Sequence, residues 1–144
     1  MMKDKALNFL GLMRKANAIE IGETDTGAAT RAQTAKLVIL ASDASDNAKS
    51  RAKGFVYGRN IPMIYLPFTK EEISSHVGKP GCSMAAITDI GFADAFMKTI
   101  VQISDTYAPT AEKIGLEYEK AKQRRKEKSA HDRNKKIGKR RNNA

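Results

Sequence analysis

Cys82 is the single cysteine among 144 residues. An intrachain disulfide is therefore excluded, as is a metal cluster held by several thiolates, which fits a reducing cytoplasm. No stretch approaches the roughly 18 consecutive apolar residues of a membrane span. Near the N-terminus Asn8, Gly11 and Arg14 interrupt the apolar residues that follow Lys3, Asp4 and Lys5, so no signal peptide is expected. The two histidines, His76 and His131, have no carboxylate, cysteine or histidine at ligand spacing and read as exposed polar residues.

Acidic residues become scarce past Glu127, and the charge is unevenly spread as a result. Residues 1–104 carry 13 Lys+Arg against 10 Asp+Glu, net +3, whereas residues 105–144 carry 13 against 6, net +7. The length suits one domain with a real core and is short for two. The expected organisation is a globular unit over 1–104 and a basic extension, helical or disordered, over 105–144, a composition common in chains that bind polyanions. Nucleic acid fits better than a membrane surface, because from Lys120 onward almost no large apolar side chain is present to enter a bilayer.

The first hundred residues centre on Lys36-Leu37-Val38-Ile39-Leu40-Ala41-Ser42-Asp43. The apolar run Leu37 to Ala41 is too short for a stable helix and includes two β-branched residues, which predicts a strand buried on both faces. Ser42, Asp43 and Ser45 follow it and can cap a helix over residues 46–57. Before it, Ala6, Leu7, Leu10 and Met13 share one face of a first amphipathic helix, residues 3–16. Ala18 to Ile21 predicts a short strand, and Thr24 or Asp25 offers an N-cap to a second helix ending near Gln33, loosened at its start by Gly27.

After the central strand, Ile61 to Leu66 predicts another strand, with Pro62 near its start. Thr69-Lys70-Glu71-Glu72 has the form of a capping box opening a helix to about His76. Gly78-Lys79-Pro80-Gly81 must be a loop, Ser83 to Thr88 a strand, and Asp89 the cap of a helix whose core stripe is Phe92, Ala93, Phe96, Met97 and Ile100. This alternation implies an α/β fold, a three-layer α-β-α sandwich with a small mixed sheet of about four strands. Beyond Asp105, Glu112 to Lys128 reads as a charged helix in which Ile114, Leu116 and Tyr118 are too few to demand burial, and residues 129–144 read as disordered when free.

No catalytic constellation assembles. Asp25-Thr26-Gly27 spells an aspartic-protease tripeptide, but that chemistry needs two such loops in an all-β frame. Asp43 and Asp89 follow strands, where catalytic acids can sit, yet both stand where a helix cap belongs. Cys82 lacks an adjacent base, and Gly22 to Gly27 lacks the lysine and spacing of a phosphate loop. The expectation is a non-enzyme with no cofactor, no metal and no small-molecule substrate.

Binding of nucleic acid has more support. Lys120, Lys122, Arg124, Arg125 and Lys126, followed by Lys135, Lys136, Lys139, Arg140 and Arg141, would neutralise several phosphates with strongly salt-dependent affinity and little sequence information. In sheets of this kind ligands sit at loops leaving strand ends, here Gly22 to Gly27, Ser42 to Ser45 and Gly78 to Ser83. Arg14, Lys15, Arg31 and Lys79 flank those loops and act together only where the loops converge.

The runs Leu10-Gly11-Leu12-Met13-Arg14-Lys15-Ala16, Gly22-Glu23, Ala35 to Ser45, Ile61-Pro62 and Ala86-Ile87-Thr88-Asp89-Ile90-Gly91-Phe92-Ala93 resemble the bacterial YlxQ-type branch of the ribosomal L7Ae family, over residues 3 to about 103. The resemblance implies an α-β-α sandwich that recognises RNA, typically kink-turns, in association with ribosomes or other structured RNA. Carried over by position, its RNA-binding residues are Gly22, Glu23, Thr24, Asp25 and Ala28, with Arg31 beside them, and Lys79, Pro80, Gly81, Cys82 and Ser83; the tail would add Lys122, Arg124, Arg125 and Lys126. Kink-turn binders usually carry Asn-Glu and, three residues later, Lys where this chain has Thr24, Asp25 and Ala28. Those replacements motivate an alternative, a protein-interaction or regulatory adaptor that keeps the fold without specific kink-turn recognition.

Overall fold

A computed structural model describes the backbone of residues 2–142 and the side chains of residues 2–134. The elements follow in the order α1 (Met2–Lys15), β1 (Ile19–Ile21), α2 (Glu23–Arg31), β2 (Leu37–Leu40), α3 (Asp46–Val56), β3 (Met63–Tyr65), α4 (Lys70–Val77), β4 (Met84–Ile87), α5 (Ile90–Ile100), a short 3-10 turn (Asp105–Tyr107) and α6 (Ala108–Asn142). The strands form one mixed sheet in the order β1-β4-β2-β3. β2 runs parallel to β3 and antiparallel to β4, which is antiparallel to β1. β2 is thus internal and buried along its whole length, as its unbroken apolar run requires.

Alternation along β2 and β4 divides the core in two. Leu37, Ile39, Ala41, Ala85 and Ile87 face a layer built by α1, α4 and α5, where Leu10, Met13, Phe68, Phe96, Met97 and Ile100 are almost fully buried. Val38, Leu40, Met84 and Ala86 face α2 and α3 through Ala29, Ala44, Ala48 and Ala52. Small side chains let those two helices lie close to the sheet, and Gly27 plays the same part between the helices themselves. A Cβ on Gly27 would stand 2.9 Å from Cζ of Phe55, so the glycine serves the α2–α3 contact.

Local capping signals operate where the sequence places them. Ser45 accepts from the Ala48 N–H, Thr69 and Glu72 form a reciprocal capping box, and Asp89 accepts from the Phe92 N–H. Two expectations change. The N-cap of α2 is Gly22, with no side-chain cap hydrogen bond, and not Thr24 or Asp25. Its φ of 97° turns the chain from strand to helix at once, which leaves those two residues inside the first turn. Asp43 caps α4 and not α3, its Oδ1 accepting from the Lys70 N–H at 2.8 Å.

α6 is also anchored more deeply than its composition predicts. Ile114 is only 1% exposed and belongs to the larger core, with Ala111, Tyr118 and Ala121 packed beside it. Spacings of three and four residues put these on one helical face, lying against α5. Burial of one isoleucine contributes about 1.5–3 kcal/mol, enough to anchor a helix otherwise dominated by charge. Residues 129–142, expected to be disordered when free, continue α6, since extending a docked helix avoids a new nucleation cost. Residues 143 and 144, and the side chains of Lys135, Lys136, Lys139, Arg140 and Arg141, lie outside the described residues. No described helix is long and apolar enough to cross a membrane.

Candidate nucleic-acid interface

Three connections leave the same end of the sheet because β1 and β2 finish where the antiparallel β4 begins. The Gly22 N–H donates to the Met84 carbonyl at 3.0 Å and the Ala41 N–H to the Ser83 carbonyl at 2.9 Å. This end joins the start of α2, the Ser42–Ser45 turn and the Gly78–Ser83 loop. The two stretches expected to act together are therefore adjacent.

Lys79 closes the junction. Its Nζ donates to the Ile21 carbonyl at 3.0 Å and stands 3.9 Å from an Asp25 carboxylate oxygen. A Cβ on Gly22 would lie 3.6 Å from that Nζ, an ordinary contact, so it is the φ of 97° and not crowding by Lys79 that calls for glycine here. Glu23, beside it, is held by Arg51 of α3 in an ion pair. The resulting surface alternates charge: Glu23 and Asp25 are each matched by a cation from another element.

Next to it an open cleft of about 440 Å³ is lined by Ser45, Lys70, Glu71, Ser74, Pro80, Gly81 and Ser83. Of these, Pro80, Gly81 and Ser83 belong to the expected set, whereas Lys70, Glu71 and Ser74 come from α4 and were not singled out. Asp43 ties the Ser42–Ser45 turn to the start of α4 through the Lys70 N–H, and no sequence spacing signals that contact. Arg51 was also missed. Its partner Glu23 is 28 positions away, far beyond any helical or strand period.

Cys82 departs from expectation. It is 3% exposed, so its side chain is a core group and does not face a ligand. Its N–H donates to Ser74 Oγ at 3.0 Å, and the thiol contacts the Met84 carbonyl. Burial pushes the thiol pKa up, against the smaller opposing effects of Lys79 and Arg14, which keeps it protonated and unreactive near neutrality. Thr24, Asp25, Ala28 and Arg31 are exposed along α2. On that flank Glu20, Asp25 and Ala28 line a shallow depression with Ala29, Ala32 and Thr34.

The tail cations do not join these loops. Lys122 pairs with Glu119 at 2.9 Å and lies over the Tyr118 ring at 4.5 Å. Arg124 lines a different cleft with Lys36, Arg59 and Pro62. Lys36 precedes β2 and Pro62 precedes the parallel β3, so that cleft is at the opposite end of the sheet. Arg125 and Lys126 are exposed farther along α6.

Comparison with known proteins agrees with this architecture. Over 91 residues the chain is 37% identical to the RNA-binding protein YlxQ of Enterococcus faecium, a match that covers 63% of this chain and 86% of that protein. A Bacillus halodurans protein of unknown function superposes with a TM-score of 0.61 at 26% identity, covering 67% of this chain and 96% of its own. The Giardia lamblia 15.5kD RNA binding protein shares the fold at 16% identity, with a TM-score of 0.54 over 78% of this chain and 89% of its own. The family model of the ribosomal protein L7Ae/L30e/S12e/Gadd45 family matches residues 4–97, from α1 into α5, and leaves α6 outside the match. The chain thus belongs to the ribosomal protein L7Ae/L30e/S12e/Gadd45 family, in its YlxQ-like branch.

Proposed function

We propose that this protein is a non-catalytic, cytoplasmic RNA-binding protein that recognises structured RNA, ribosomal RNA among the candidates, through the loop end of its sheet. The observation that carries the reading is the bond from Lys79 to the Ile21 carbonyl, which makes one surface of the two loops. Family membership supports it, as does the RNA-binding name of the Enterococcus faecium relative. Basic side chains of α6 add sequence-independent phosphate contacts.

Thr24 lacks the paired donor and acceptor of an asparagine amide, and Ala28 supplies no cation to a phosphate. Recognition on this surface therefore rests on shape, backbone groups and Lys79, with Arg51 and Lys70 nearby, more than on base edges. The adaptor reading is not favoured, since the replacements at Thr24, Asp25 and Ala28 leave the loop junction intact.

Binding of the full chain to a kink-turn RNA and to a duplex of equal length, across a salt series, tests the proposal. Preference for the kinked RNA that is lost in Lys79→Ala is the expected result. Equal affinity for both RNAs, unchanged by Lys79→Ala, would show that the loops do not read RNA.

A further inference from the structure

The cleft at the opposite end of the sheet is formed where α6 docks. It has a volume of about 450 Å³, and its charged lining is Lys36, Arg59, Lys113 and Arg124 against the single carboxylate of Glu117. These cations come from three separate segments: the entry to β2, the turn before β3, and α6, where Lys113 and Arg124 stand about three turns apart. Their shared position is a property of the tertiary fold and not of a charge run in the sequence.

Two of the cations are held in place. Arg59 donates through Nε to the Phe55 carbonyl at 3.1 Å and through a terminal nitrogen to the Thr30 carbonyl at 3.5 Å, so the ends of α2 and α3 fix it. Lys113 Nζ donates to Asn60 Oδ1 at 2.9 Å, joining α6 to the same turn. Less side-chain freedom is then lost when an anion arrives. Ile61, Pro62 and Ala121 add an apolar floor between the charges.

We infer that this cleft is a second RNA-binding surface, which takes the phosphodiester backbone of a single-stranded segment. The inference rests on the RNA-binding reading above. A concave site between a helix and the strand ends suits one flexible strand better than a rigid duplex, while four cations around it supply the field that a polyanion needs. The length of β2 and its flanks separates this surface from the Lys79 junction by roughly 20 Å, at a rise of about 3.3 Å per residue. One RNA with a folded element and a single-stranded arm can engage both ends.

The test uses the full chain, a fluorescent ten-nucleotide oligouridylate and the kink-turn RNA, each titrated across a salt series. Lys36→Ala combined with Lys113→Ala and Arg124→Ala is expected to weaken oligouridylate binding by about tenfold or more and to shallow the log–log salt slope by about 2. Arg125→Ala with Lys126→Ala and Lys128→Ala removes the same charge outside the cleft and should do clearly less. Glu117→Gln, which takes away the opposing carboxylate and no core group, should tighten binding about two- to threefold. Equal losses from the two triple variants, no gain from Glu117→Gln, or equal displacement by uridine monophosphate at matched phosphate would each overturn the inference. Failure of the unaltered protein to bind either RNA would instead overturn the RNA-binding reading itself.

Discussion

Lys79 Nζ donates to the backbone carbonyl of Ile21 at 3.0 Å across 58 positions of sequence. It occupies a strand-end carbonyl and brings a positive charge to the start of α2, beside Asp25. The bond is partly exposed, so its effect on global stability is small, within about 1 kcal/mol. Its effect on loop order is larger. Lys79→Met keeps the side-chain stem and removes the donor; faster amide exchange confined to residues 21–25 and 78–83 is expected, with an unchanged melting transition. Uniform exchange across the sheet would show that Lys79 supports the fold and not the junction.

Restoring the family pattern should restore base reading. Thr24, Asp25 and Ala28 are exposed, so Thr24→Asn, Asp25→Glu and Ala28→Lys together can be made without disturbing the core. A bidentate base contact is worth about 1–3 kcal/mol of discrimination, so the triple variant should gain about tenfold or more in selectivity for a kink-turn over a duplex. Electrophoretic competition between the two RNAs reads this directly, and no gain would mean that the surface beyond α2 does not fit a kink-turn.

Gly27 sits in a helix and against an aromatic ring, and the two effects oppose each other. Alanine there gains about 1 kcal/mol of helix propensity, but its Cβ would meet Phe55 Cζ at 2.9 Å, an overpacking that costs about 1–3 kcal/mol. Gly27→Ala is expected to be destabilising in the native chain and stabilising in a Phe55→Leu background. Chemical denaturation of the four variants measures the change of sign.

Docking of α6 depends on Ile114. Ile114→Ala should cost about 2–5 kcal/mol at this buried position. Calorimetry should show a lower transition temperature, and the cleft lined by Lys113 and Arg124 should lose its affinity for the oligouridylate with it. Leu116→Ala, on the exposed face, is the matched control and should change neither.

Glu72 closes the capping box of α4 and pairs with Lys3 of α1. The Lys3 ammonium, and after it the Thr69 N–H, hold its carboxyl below the ordinary 4.5. A carboxyl depressed in the folded state stabilises above its unfolded pKa and loses that contribution as pH falls through the folded value. Glu72→Gln should therefore be less stable than the native chain at neutral pH and equally stable well below pH 4.5. Thermal melts across that range check it.

Much of the fold was written locally. The unbroken run Leu37 to Ala41 marks the internal strand, and the hydroxyl or carboxylate of Ser45, Thr69 and Asp89 marks helix starts within three residues of the groups each one bonds. The family resemblance likewise lay in contiguous runs, and it placed the loops that the fold brings together.

By itself, then, the sequence determined the type and order of the elements through α5, the caps of Ser45, Thr69 and Asp89, and the excess of positive charge, because each depends on neighbours within a few residues. Tertiary structure decided which distant groups meet. Asp43 caps α4 and not the helix that follows it, Arg51 reaches Glu23, Cys82 turns inward, and Ile114 enters the core. It also set the tail's Arg124 in one cleft with Lys36 and Arg59, at the end of the sheet opposite the loops. The reason is the strand order β1-β4-β2-β3: a mixed sheet sends its connections to two opposite ends, and only that geometry fixes which side chains share an end.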